Sequence, residues 1–263
     1  MDRRPLGRTG LTVSVIGMGT VGSFDTSEDR HQLVVAALEA HIDLFDTSPM
    51  YGRAERTLAA ALGELRSRVT IATKVWTSDP EEGRRQAERA LALYGHVDVY
   101  QVHNLVNMPV QLALLEALKA EGHVSAVGAT HYEESAFGEL ARWISTGRLD
   151  MVQIPYNPLR RTAEKELLPL AERHGLGVLV MSPLQGGILK RQPSPAELTE
   201  LGVDTWAQAI LKWIASDRRV SAVLTATHRV QRAAENGMGG ALPLLSAAQR
   251  DLVVRIAERR NAG

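Results

Sequence analysis

Short runs rich in Val, Ile and Leu recur along this chain and end near Asp46, Lys74, His103, Thr130, Gln153, Met181 and Thr225. Successive ends lie 28, 29, 27, 23, 28 and 44 residues apart, mostly the length of one strand plus one helix. With the run Val15 to Met18 in front, there are eight such units. Nearly continuous aliphatic runs fit parallel strands covered on both faces. Between them, stretches near 28–40, 54–66, 80–94, 109–121, 133–146, 162–174 and 204–216 carry apolar residues at three- and four-residue spacing, as in Leu112, Leu115 and Leu118, and are predicted as helices. An open doubly wound sheet competes for this pattern. Eight units within 263 residues and no second domain favour a closed (β/α)8 TIM barrel, a single domain over 1–263.

The opening Pro5 to Val15 has Gly and Thr-Gly punctuation between short alternating runs, and is predicted as a hairpin with Arg8-Thr9-Gly10 near its turn. The long interval from 181 to 225 contains Gly186-Gly187 and Arg191-Gln192-Pro193-Ser194-Pro195, which reads as a loop. After the eighth strand come a helix from Val230 to Asn236 and an extra C-terminal helix from Ser246 to Arg260. The segment 237–263 is short and largely helical, so an open, weakly selective pocket with little C-terminal lid is expected.

Thirty basic residues balance thirty acidic ones, which argues against a nucleic-acid partner. The absence of cysteine excludes disulfides, thiolate metal sites and a cysteine nucleophile. No apolar run approaches the roughly 20 residues of a membrane span, and no apolar segment follows the arginines of 1–10. The expectation is a cytoplasmic protein with no membrane or nucleic-acid partner; oligomeric state is not legible.

Gly17-Met18-Gly19-Thr20-Val21-Gly22 matches the dinucleotide fingerprint G-x-G-x-x-G after a strand. In that fingerprint the helix opens within the motif. Here Ser23-Phe24-Asp25-Thr26-Ser27 intervenes, with Thr26 or Ser27 as the predicted cap, so the motif reads as a Gly-rich turn.

Chemistry concentrates at three successive strand ends. The run through Ile42, Leu44 and Phe45 stops at Asp46, Pro49 forbids its continuation, and Tyr51 follows in the loop. The next strand delivers Lys74 and the one after it His103. Parallel barrels place their chemistry at the carboxyl ends of strands. An acid, a tyrosine, a lysine and a histidine there make a proton-transfer site.

With these four in place, the chain resembles the aldo-keto reductase superfamily over nearly its whole length. Asp46-Thr47-Ser48-Pro49-Met50-Tyr51-Gly52-Arg53-Ala54-Glu55 is similar to the family signature D-T-[AS]-x-x-Y-G-x-[AS]-E. Ile71-Ala72-Thr73-Lys74-Val75-Trp76 resembles its lysine strand and Gln101-Val102-His103-Asn104 its histidine strand. Val152 to Asn157 and Met181 to Leu184 match two cofactor strands, and Pro5 to Leu11 the N-terminal hairpin. The resemblance implies reduction of aldehydes or ketones to alcohols, with Tyr51 as general acid, Lys74 and Asp46 as its tuning pair and His103 orienting the carbonyl. A tyrosine near pKa 10 is a poor acid at neutral pH and needs a neighbouring cation; Lys74 is expected to lower its pKa. The buried ammonium in turn needs Asp46 as partner.

The resemblance also implies a nicotinamide cofactor, NADPH with NADH possible. Tyr156 is matched to the aromatic that stacks on the nicotinamide, and Gln153 to the residue bonding its carboxamide. Thr130-His131 stand where the family usually has Ser-Asn. Ser182 and Leu184 fall at expected pyrophosphate contacts, Arg232 at the arginine for a 2′-phosphate, and Glu235 and Asn236 at adenine contacts. A lysine common at the eighth strand is missing from Thr225-Ala226-Thr227-His228-Arg229. Trp76 and Phe24 are candidates for the substrate pocket, though a rim aromatic is often only packing, and Val21 in the first loop carries the same ambiguity.

Plainer readings stand beside these. An Asp–Lys pair in a barrel can be purely structural. His131 serves equally as a packing residue, and Trp206 and Trp213 read as helix–barrel packing. Two readings of another class compete: a metal-dependent barrel hydrolase, for which no H-x-H pair or further carboxylate set is present, and a nucleotide-binding regulatory barrel without turnover. No metal is expected.

Overall fold

The computed structural model describes residues 1–191 and 193–259. Its frame is a closed barrel of eight parallel strands: β3 (Ile16–Gly19), β4 (Leu44–Asp46), β5 (Thr70–Val75), β6 (Val97–His103), β7 (Val124–Thr130), β8 (Met151–Pro155), β9 (Gly177–Met181) and β10 (Ala222–Ala226). Neighbours pair in chain order, and β10 closes on β3 with Val223 opposite Ile16 and Thr225 opposite Met18. The antiparallel hairpin β1 (Arg3–Pro5) and β2 (Thr12–Ser14) precedes the barrel.

Period-two alternation makes two apolar layers. Inward-facing Leu44, Ala72, Val99, Ala126, Met151, Leu179, Ala222 and Leu224 fill the barrel, and the hairpin plugs its lower end with Leu6 and Val13. Gly7, at φ 56°, lets that plug seat: a Cβ there would lie 2.2 Å from the Gly177 nitrogen. Beneath the plug, the buried Arg4 guanidinium donates to the carbonyls of Ala215, Asp217 and Val220. Outward-facing aliphatics pack against the helices and form the larger core.

The helices surround the barrel: α1 (His31–Glu39), α2 (Ala54–Leu62), α3 (Pro80–Tyr94), α4 (Met108–Ala120), α5 (Phe137–Ser145), α6 (Leu167–His174), α7 (Pro195–Leu201), α8 (Trp206–Ala215), α9 (Val230–Met238) and α10 (Ala247–Glu258). Three of the sequence-predicted helices break into two parts. A 3-10 turn, Gly63–Arg68, takes over from α2; Glu134–Ala136 and Thr162–Glu164 are 3-10 turns ahead of α5 and α6. Helix α7 lies inside the stretch read as a loop. Ser194 accepts from the Glu197 N–H, and the Glu197 side chain accepts from the Ser194 N–H, a capping box around a proline at the first helical turn. Arg260, the predicted end of the last helix, lies outside the described residues.

The Gly-rich motif is explained by packing. Gly17 and Gly19 lie within β3, and α1 begins only at His31. A Cβ on Gly17 would meet Leu224 at 2.8 Å and Leu44 at 3.2 Å, so this glycine lets neighbouring strands crowd the barrel interior.

Candidate active site

Along each strand, the inward layer turns polar toward the carboxyl end. Above Leu44 comes Asp46, above Ala72 comes Lys74, above Val99 come Gln101 and His103, and above Met151 comes Gln153. The strand alternation that fills the core thereby points these side chains into the barrel mouth. Strand β4 ends at Asp46 because Pro49 cannot continue it; Pro49–Tyr51 forms a 3-10 turn with Ser48 as its cap, accepting from the Met50 N–H at 3.2 Å. Gly52 follows at φ 62° with Asp25 closely packed against it, and the Asp25 carboxylate accepts from the Arg53 N–H at 2.9 Å. The turn carrying Tyr51 is thus tied to the first loop.

Lys74 is fully buried. It donates to Asp46 Oδ1 at 2.6 Å and to the Thr47 carbonyl at 2.8 Å, and its Nζ lies 5.1 Å from the centre of the Tyr51 ring. Asp46 Oδ2 accepts from Gln153 Nε2 at 2.9 Å and Gln101 Nε2 at 3.2 Å. Burial pulls the Lys74 pKa down, but the Asp46 carboxylate, then Tyr51, outweigh it and hold it above the ordinary value, so the ammonium persists. Tyr51 departs from expectation: its pKa is raised, because burial outweighs the lowering effect of Lys74 and Asp46 adds to the rise. The phenol keeps its proton at neutral pH. Burial foremost, then the charges of Lys74 and His131, pushes His103 down to about 3, so its ring is neutral. The Tyr51 and His103 rings meet edge to face, 5.8 Å between centres, and His103 Nδ1 lies 2.9 Å from Ser48 Oγ.

Asp46, Tyr51, His103 and Gln153 floor a cavity of about 750 Å³ whose walls include Val21, Met50, Trp76, Tyr132, Ser182 and Leu184. Trp76 therefore sits at the pocket, as do Gln153, Ser182 and Leu184. Two sequence assignments are corrected. Phe24 is fully buried in the outer core and does not line the cavity, because the first loop folds back on itself, its N–H donating to the Thr20 carbonyl. Tyr156 faces away from the mouth. Strand β8 runs on to Pro155, so Gln153 points in and Tyr156 points out, where its ring packs 5.1 Å from Trp213 and its hydroxyl donates to Glu164 at 2.6 Å.

Of the remaining assignments, Thr130 is buried beside Gln153, its hydroxyl donating to Gln153 Oε1 at 3.2 Å. His131 stacks on Tyr132, 5.4 Å between centres, and its Nδ1 accepts from the Glu133 N–H at 3.1 Å, outside the cavity lining. Arg232, Glu235 and Asn236 lie on α9, the helix that leaves the β10 end; Arg232 pairs with Glu235 at 2.8 Å and Asn236 is buried. Sequence reasoning missed Gln101, Ser48, Tyr132 and Met181. The first and last follow from counting in twos along β6 and β9; nothing in the local sequence points to Tyr132. Among the described residues, no three of His, Asp and Glu converge to hold a metal ion, and no helix is long and apolar enough to cross a membrane.

The family model described as "Aldo/keto reductase family" matches residues 15–257. The chain belongs to the aldo-keto reductase family. An NADH-specific methylglyoxal reductase of Escherichia coli is 32% identical over 72% of this chain and 69% of its own length. A protein of Arabidopsis thaliana named "Probable voltage-gated potassium channel subunit beta" is 26% identical over 99% of this chain and 98% of its own. Among solved structures, an aldo-keto reductase of Bacillus halodurans in holo form superposes with a TM-score of 0.78 at 23% identity, covering 98% of this chain and 96% of that one, a likeness of fold. As a family member, the chain is an NAD(P)H-dependent oxidoreductase. Its donor set fits the nicotinamide end of that cofactor. Gln153 spends one N–H on Asp46 and one lone pair on Thr130, which leaves one of each for a carboxamide. Ser182, in the left-handed region at φ 56°, turns the chain at the cavity wall.

Proposed function

We propose that this protein reduces neutral aldehydes and ketones to alcohols with NADPH, Tyr51 giving the proton to the carbonyl oxygen. One observation carries the reading: a buried ammonium, Lys74, is paired with the Asp46 carboxylate and set beside the Tyr51 ring, and both Asp46 and Tyr51 line the cavity. The bound nicotinamide supplies the hydride. The chain's own residues do the rest. Tyr51 holds a proton that only a developing alkoxide, a far stronger base than phenolate, can take. Lys74 stabilises the phenolate left behind, and Asp46 keeps Lys74 charged, its second oxygen held by Gln101 and Gln153. Neutral His103 orients the carbonyl.

The cavity walls name the substrate class. Apart from the Asp46 engaged below, the lining has no charged side chain, while Val21, Met50, Trp76 and Tyr132 present large apolar surfaces at its rim. An anionic substrate would find no counter-charge; an apolar carbonyl would find a wall. No described residue beyond Ala226 lines the cavity, consistent with a pocket open on that side. For the cofactor, Thr130 and Gln153 serve the carboxamide, Ser182 and Leu184 the pyrophosphate, and Arg232 a 2′-phosphate. No side chain caps the N-terminus of α9, which leaves N–H groups for that phosphate.

Titration with NADPH and NADH by nucleotide fluorescence, followed by an aromatic aldehyde, tests the reading. Tighter binding of NADPH, with oxidation once aldehyde is added, is the expected result. Binding without oxidation would instead favour the regulatory barrel, the reading to which the channel-subunit relative is nearest by name; failure to bind either nucleotide would overturn both.

A further inference from the structure

Neutral His103 carries one proton on one of two ring nitrogens, and the choice decides what its cavity edge can do. With the proton on Nε2, that edge donates to a carbonyl oxygen; with it on Nδ1, the edge presents a lone pair and repels one. Among the described residues Nε2 has no hydrogen-bond partner, whereas Nδ1 lies 2.9 Å from Ser48 Oγ. Ser48 is fully buried, and the same oxygen accepts the Met50 N–H at 3.2 Å.

The hydrogens can be counted. A hydroxyl has one hydrogen and two lone pairs. If Nδ1 donated to Ser48, both lone pairs would be taken, by Nδ1 and Met50, and the hydroxyl hydrogen would be buried with no acceptor. If Ser48 donates to Nδ1, every group is matched: Met50 N–H to Oγ, O–H to Nδ1, and Nε2–H open to the cavity. Burying an unmatched donor is the costlier arrangement.

We propose that Ser48 is a positioning residue that holds His103 as the Nε2–H tautomer, and that the same hydroxyl, capping the 3-10 turn Pro49–Tyr51, sets Tyr51 against that ring. One side chain thereby aligns the proton donor, in the turn after β4, with the carbonyl orienter at the end of β6. The inference rests on the carbonyl-reductase reading of the site. The family signature accepts Ala or Ser at this position, so Ser48→Ala is a variant the fold tolerates.

Nitrogen-15 NMR of the imidazole in labelled protein, with the His103 signals assigned by their loss in His103→Gln, reads the tautomer whether or not the protein turns over. The parent is expected to show a protonated Nε2 and an unprotonated, hydrogen-bonded Nδ1. Ser48→Ala is expected to shift Nδ1 and mix the tautomers, and to lower kcat on an aromatic aldehyde by on the order of tenfold, the rate equivalent of one hydrogen bond, with the NADPH Kd unchanged. A parent with protonated Nδ1, or a variant with unaltered ring signals and kcat, would overturn the proposal. If the parent binds NADPH yet reduces no aldehyde, the reductase reading fails on its own, and the ring signals still decide the tautomer.

Discussion

At the scale of single residues, the site works by opposing burial with one charge pair. Burial alone would discharge Lys74, and the Asp46 carboxylate 2.6 Å away prevents it. His103 has no such partner and loses its charge instead. Its pKa of about 3 in the fold sits well below the value near 6.5 of an exposed histidine. The sign follows. Between those two values the unfolded chain binds a proton that the native chain refuses, so this contribution to stability is intact above about pH 6.5 and is lost as pH falls toward 3. Urea unfolding at pH 7 and pH 5 should therefore show the parent losing roughly 2 kcal/mol more than His103→Gln over that interval. Equal losses would mean that His103 takes up a proton in the native site.

At the scale of elements, strand alternation explains both what the sequence showed and what it concealed. Asp46, Lys74 and His103 were legible because each closes or nearly closes an aliphatic run, and the proline after β4 marks its end. Gln101 was not, since an inward glutamine within a strand looks like filler until the barrel closes. Tyr156 was matched by resemblance to a stacking aromatic, but with β8 extending to Pro155, parity sends it outward to Glu164, Trp213 and Arg250. Tyr156→Phe should then cost about 1 kcal/mol of stability through the lost hydroxyl, and leave NADPH binding unchanged. A weakened Kd for NADPH in that variant would return the tyrosine to the cofactor. Helix α7 was hidden for a different reason. Two prolines within three residues read as loop punctuation, while the serine and glutamate around the second form a capping box that makes it a helix start.

At the scale of the whole molecule, the repeat of strand and helix reveals the barrel, because no other closed arrangement uses eight such units so evenly. The pocket's outline is less legible, since its rim comes from loops after several strands, and Tyr132 or Val21 gains meaning only where they converge. The two ends of the barrel are also separable. The hairpin plugs the bottom with Leu6, fully buried against the inner layer, far along the strands from the polar mouth. Leu6→Ala should cost about 2–5 kcal/mol of stability while kcat at a temperature below the transition stays near the parent's. A loss of kcat out of proportion to unfolding would mean that the plug shapes the site.

Proton delivery by Tyr51 underlies the proposed reduction. Single-turnover oxidation of bound NADPH by an aromatic aldehyde, followed in the parent and in Tyr51→Phe, tests it most directly. The variant keeps the ring against His103 and lacks only the hydroxyl above Lys74. It should bind NADPH as the parent does and oxidise it about 100- to 10,000-fold more slowly. Oxidation at the parental rate in Tyr51→Phe would rule out Tyr51 as the proton donor.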